Sequence, residues 1–224
     1  MTGKMLRVLS FLLASTAATA LAQQAAPIQG TVDAGVYTSP NGAFKVEVPV
    51  LPELGGVVRD TENVVTFRDS FVTHVTIAAF KQDASQRWEL STRGIKDYLI
   101  YYFRSFVLED FRGYCPKAQL ESAGFSADFM EGSLFTYVLM PGGTMFAREQ
   151  PFNAAAGPPV AKRGNLTFVR NGYTYVISTE LAERVTEGTR YSKTTDEENQ
   201  ILRSRLLGIV KKMEFTKPVA PKQP

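Results

Sequence analysis

The sequence predicts an α+β domain: an antiparallel sheet of short strands sandwiched by an aromatic central helix and a C-terminal amphipathic helix. Three observations carry this. Short runs of alternating apolar and polar residues recur along the chain, the two-residue period of half-buried strands. Between Trp88 and Phe106 the period switches to that of one helix face. Late in the chain, Thr195-Asp196-Glu197-Glu198 opens an amphipathic run with the pattern of a capping box.

The chain opens on a segment suited to export. Lys4 and Arg7 form a short positive region, Val8 to Ala14 an apolar stretch, and Ala20-Leu21-Ala22 a small-residue cleavage pattern. A spanning helix needs about 20 mostly apolar residues, and Ser15, Thr16 and Thr19 interrupt this run well before that length. Residues 1–22 are therefore expected to be a cleaved signal peptide, leaving a periplasmic or secreted product without stable membrane insertion. Removing 22 of the 224 residues leaves 202; the removed part holds two of the 25 basic residues and none of the 22 acidic ones, so the net charge becomes +1. A nearly neutral chain with no long block of like charge offers no nucleic-acid surface. Its 15 Phe and 9 Tyr are enough to fill a core.

Residues 23–30 read as a mobile lead-in, 31–217 as a single α+β domain and 218–224, with three prolines, as a disordered tail. Within the domain, Pro40-Asn41-Gly42 is a turn before the alternating strand Phe44 to Val48, which Pro49 and Pro52 end. Strands follow at Val57 to Arg59, Val64 to Arg68 and Thr73 to Phe80. Trp88, Ile95, Leu99, Tyr102 and Phe106 then mark one helix face, with Ser91 or Thr92 as its cap and Gly113 and Pro116 as its stop. Strands resume at Ala118 to Ala123, Ser126 to Met130 and Leu134 to Met140, the last apolar on both faces and so expected near the sheet centre. Gln150 to Lys162, rich in Ala, Pro and Gly, reads as a surface loop. Asn171-Gly172 joins Leu166 to Arg170 and Tyr173 to Thr179 in a hairpin. In the last helix Thr195 is the expected N-cap, with Glu198 three residues on and Leu202, Leu206, Ile209 and Met213 as the buried stripe.

Reactive groups are scarce. His74 is the one histidine, so no two-histidine metal set can be assembled, and any Ser-His or Cys-His arrangement must use it. Cys115 is the one cysteine; it either packs as a small hydrophobe or links two chains. Gly124 to Asp128 falls short of a nucleophile elbow, and no glycine-rich phosphate loop occurs. Asp128 and Glu131 are a carboxylate pair on a turn, and Asn165-Leu166-Thr167 matches a glycosylation sequon. No catalytic residue, metal site or cofactor is expected. The cluster Tyr98, Tyr102 and Phe106 packs as core or forms one wall of an apolar ligand pocket.

The opening Tyr37-x-Ser39-x-x-Gly42-x-Phe44-x-Val46, the meander, the aromatic helix, Gly172-Tyr173-x-Tyr175-Val176 and the C-terminal helix together resemble PsbP/DcrB-like proteins, over roughly Val36 to Phe215. The resemblance implies an α/β/α sandwich, often exported, with no catalytic motif. The loop at Gln150 to Lys162 departs from that layout. The expected function is that of an exported, non-catalytic binding or assembly-support protein of the cell envelope, its partner an envelope protein or a small apolar ligand. The alternative is an envelope hydrolase or thiol-dependent enzyme using His74 or Cys115.

Overall fold

Asn171 and Gly172 take φ values of 51° and 79°, the pair of positive angles that a two-residue type I′ turn requires. The turn joins two long strands, Val160–Arg170 and Tyr173–Glu180, at the middle of the molecule. The computed structural model describes residues 27–146 and 159–216. The predicted signal peptide, residues 23–26, the segment 147–158 and the end of the chain, including the predicted tail, lie outside the described residues.

In chain order, β1 (Thr31–Asp33), β2 (Val36–Thr38) and β3 (Phe44–Glu47) form a first meander. A second comprises β4 (Val57–Asp60), β5 (Val64–Arg68) and β6 (His74–Lys81). Next come α1 (Ala84–Arg93), α2 (Ile95–Tyr102), a π-helical turn over Phe103–Val107, and α3 (Leu108–Tyr114). β7 (Gln119–Ser126) and β8 (Ser133–Pro141) precede the long hairpin, whose strands are β9 and β10. α4 (Glu183–Thr186), α5 (Thr195–Lys211) and β11 (Met213–Phe215) follow.

These elements build an antiparallel sheet of seven strands, ordered β4-β5-β6-β10-β9-β8-β7, and a smaller one ordered β1-β2-β3-β11. The large sheet is apolar on both faces. On one, Leu134, Val138 and Met140 of β8 meet Tyr98, Leu99, Tyr102, Phe103 and Phe111 of the helices. On the other, Phe67, Ile77, Phe135, Leu166, Phe168 and Tyr175 pack beneath Leu206 and Val210 of α5 and Tyr37, Phe44 and Val46 of the small sheet. The α+β sandwich is therefore as predicted, with two sheets in place of one. Gly164 sets the distance between β9 and α5: a Cβ there would lie 2.8 Å from Cβ of Leu202, so any larger residue forces the helix outward.

Several elements differ from the sequence expectation. Gly94, at φ 77° and ψ 163°, breaks the aromatic helix in two. The first piece starts at Asp83, whose side chain caps Gln86 N in a full capping box; Ser91 and Thr92 instead bond back to Trp88 O and cap nothing. Trp88 thus leaves the buried face and is 61% exposed. Ser126 to Met130 is not a strand: β7 runs unbroken to Ser126, and Met130 and Glu131 turn the chain at φ 56° and 60°. Val160 to Lys162, predicted as loop, begin β9. The N-cap of α5 is Thr194, with Glu197 at N3, one residue earlier than predicted. Met213 leaves the helix for β11, and Val210 takes the buried place expected of Ile209. Asn165 of the sequon is fully buried, donating to Thr136 O and accepting from Ser178 Oγ, out of reach of any surface modification.

Candidate ligand groove

The helix-side face of the sheet is incompletely covered. Between α2–α3 and strands β5, β6 and β10 an open groove of about 500 Å³ remains. Val64, Ala78 and Val176 floor it, and Tyr102, Phe106 and Phe111 roof it. Thr76 and Ser178 add two hydroxyls to the floor, and Asp83, Gln86 and Asp110 stand at its rim. An apolar cleft with a few fixed polar groups is the usual composition of a small-molecule site.

The roof owes its shape to the π-helical turn. Tyr102 and Phe106 are four residues apart, the same-face spacing of an α-helix, but the wider π turn rotates Phe106 off the buried stripe. Phe106 is 46% exposed, its ring 5.1 Å from that of Tyr102 and tilted 43° to it. Of the three aromatic residues predicted as a pocket wall, Tyr102 and Phe106 line the groove. Tyr98 does not: it is fully buried, and its hydroxyl meets Thr174 Oγ1 at 2.9 Å and Gln82 Nε2 at 3.2 Å, fastening α2 to β10. Burial, then the neighbouring Tyr98, raises the Tyr102 hydroxyl above its ordinary range. That hydroxyl makes no hydrogen bond among the described residues and is the polar atom of the roof nearest to being a handle for a ligand.

His74 and Cys115, the two groups on which an enzymatic alternative rests, are both buried. No hydrogen bond joins them. Cys115 Sγ lies 3.5 Å from Pro141 O, packed beneath the turn at Gly143. His74 shares the helix-side face with Arg163, which donates to Tyr114 at 2.6 Å and pairs with the buried Glu180 at 3.3 Å. Glu180 in turn accepts from Thr144 Oγ1 and Met145 N.

Burial, reinforced by the positive charges of Arg163 and Arg68, pushes the imidazole down to about 3, from an ordinary value of 6.5. Nδ1 of His74 has no hydrogen-bond partner among the described residues. The folded protein therefore keeps His74 neutral where the unfolded chain would protonate it. Between those two values the unfolded state binds more protons, so stability is complete above about pH 6.5 and falls as pH drops towards 3. Each unit contributes up to about 1.4 kcal/mol. A His74→Leu variant is expected to show a flatter acid limb in urea unfolding midpoints between neutral pH and pH 4; identical slopes in both proteins would rule out this role for His74.

On the opposite face lies a second buried charged cluster. Lys162, 0% exposed, donates to Glu198 of α5 at 2.9 Å and pairs with Glu121 of β7. Glu198 also accepts from Tyr191 at 2.7 Å and from Arg184. Burial alone would raise the Glu198 carboxyl, yet hydrogen bonds from Lys162, Tyr191 and Arg184 hold it below the ordinary carboxylate range. Sequence reasoning missed this cluster, together with Arg163, Glu180 and the groove residue Phe111. The available signal was phase: Lys162 and Gly164 continue the alternation of Leu166 and Phe168, which assigns them to the strand and points Lys162 at α5.

No protein-family model matches the chain, and no curated protein matches it. Among solved structures it is similar to the PsbP of the cyanobacterium Synechocystis (CyanoP), at 12% identity and a TM-score of 0.49, over 81% of this chain and 91% of that one. It is also similar to the Ran-binding protein Mog1p of Saccharomyces cerevisiae, at 8% identity and a TM-score of 0.46, over 85% and 97% of the two chains. Neither likeness brings a residue role with it. Among the described residues no helix is long and apolar enough to cross a membrane.

Proposed function

We propose that this chain is an exported, non-catalytic binding protein of the cell envelope, built on a single PsbP-like domain, that holds a slender apolar molecule in the groove under α2 and α3. The groove carries the reading: its floor and roof are apolar, its hydroxyls are few, and Phe106 is held out over its mouth by the π-helical turn. The signal-like segment 1–22 supports action outside the cytoplasm. Binding needs no reactive group, in keeping with a buried neutral histidine and a buried thiol.

Displacement of a polarity-sensitive naphthalene dye by medium-chain fatty acids tests this. Phe106→Ala removes an aromatic roof contact and is expected to weaken retention of the displaced acid about three- to tenfold. Because Phe106 is half exposed, the unfolding midpoint should barely move. Dye and fatty acids that bind both proteins equally, or neither, would overturn the reading.

A further inference from the structure

The two edges of the large sheet are treated differently. At the β4 edge, Asp60 accepts hydrogen bonds from Gln29 N (2.8 Å), Gly30 N (2.7 Å) and the Tyr37 hydroxyl (2.8 Å), which ties the N-terminal segment to that strand. At the β7 edge, no described strand or helix pairs along the outer side. A β-bulge lies between Leu120 and Ser122, but from Ser122 to Ser126 the strand is in regular register with β8. Its side chains there are small or half exposed. An open, regular edge presents alternate N–H and C=O groups to any extended backbone that approaches.

The surroundings of this edge select among such backbones. Above it, between β7 and the outer side of α2–α3, runs a second groove of about 770 Å³, distinct from the one beneath the aromatic roof. Leu120, Ala123 and Phe125 form its strand wall. Lys96, Arg104 and Arg112 line its helix wall, and no carboxylate lines it. Arg112 is engaged by Glu109 at 2.7 Å, but Lys96 and Arg104 have no ion-pair partner among the described residues and both are exposed. The nearby acids Asp97 and Glu109 line the adjoining cleft with Arg93, and Arg104 and Arg112 stand on the ridge that borders both clefts, while Lys96 faces the β7 groove alone. Free positive charges along an unpaired strand favour an anionic chain in extended form.

We propose that the outer edge of β7 is a docking strand for an extended acidic segment of a partner protein. The segment continues the sheet by main-chain hydrogen bonds to Ser122–Ser126. Every second side chain then falls into the groove, apolar ones against Phe125 and carboxylates against Lys96 and Arg104. This site is independent of ligand binding in the aromatic groove, so either can fail without the other.

The test uses the full chain and a capped, fluorescein-labelled peptide with Thr at alternate positions and Val or Glu between them, read by fluorescence anisotropy. Binding is expected to weaken with ionic strength. A Lys96→Glu/Arg104→Glu variant should lose about tenfold or more in affinity and should bind the Glu-to-Lys version of the peptide instead. Amides of Ser122–Ser126 should gain hydrogen-exchange protection on binding, and a peptide N-methylated at alternate residues should not bind. Equal binding of the Glu and Lys peptides, retention of the N-methylated peptide, or protection of β7 by self-association without peptide would each overturn the proposal.

Discussion

A Lys162→Met variant is expected to lose about 3–5 kcal/mol of stability, read from urea unfolding. Lys162 is fully buried between the sheet and α5, and its ammonium stands between two carboxylates, Glu121 and Glu198. Removing it leaves Glu198, itself almost wholly buried, dependent on Arg184 and Tyr191 alone. The loss then comes chiefly from an uncompensated buried charge, since a well-made ion pair adds little over an apolar substitute. The same logic sets the second arm. A Lys162→Met/Glu198→Gln double variant, which removes both charges, should be more stable than the Lys162→Met single. A single-site loss below about 1 kcal/mol, or strictly additive losses, would show that this cluster does not hold α5 to β9.

Tyr175→Ala should be comparably severe, at about 3–5 kcal/mol. Its ring stacks on Phe168 at 5.0 Å and 9° and meets Phe215 edge-on at 5.2 Å. Its hydroxyl donates across to Ala43 O at 3.0 Å, so one side chain fastens the large sheet to both β3 and β11. Truncation opens a cavity where two sheets converge, with little freedom to collapse. Tyr175→Phe separates the contributions. Ala43 O keeps a second donor, Thr216 N at 3.0 Å, so losing the hydroxyl costs only about 1 kcal/mol. Thermal unfolding of the two variants checks the contrast; equal losses would mean that the hydrogen bond, and not the packed ring, carries the stability.

Much of this architecture was legible because local signals agreed with tertiary ones. Asn171-Gly172 required a hairpin, and the two apolar faces of Leu134 to Met140 required cover on both sides. Legibility failed where two local solutions competed. Thr194-Thr195-Asp196-Glu197-Glu198 fits a capping box in two registers, and only the burial of Glu198 against Lys162 chooses the earlier one. Gly94 weakens a helix in sequence terms, whereas here its positive φ ends one and starts another. The π-helical turn leaves no trace in the pattern, because Tyr102 and Phe106 keep the spacing of an α-helix. The groove was therefore half visible: its roof aromatics stood out, while Thr76, Ala78 and Val176 reach it only through the β6–β10 pairing.

The smaller sheet has a consequence for the order of events in the life of the chain. Its strand β3 is flanked on one side by β2, a neighbour in sequence, and on the other by β11, where Met213 meets Val46 from the far end of the domain. Contacts of such long separation form late and slowly. A nascent chain thus has its first meander long before the strand that finishes it, and the smaller sheet cannot close until Met213–Phe215 have been made. The arrival of β11 thus joins the first and last described strands into one sheet.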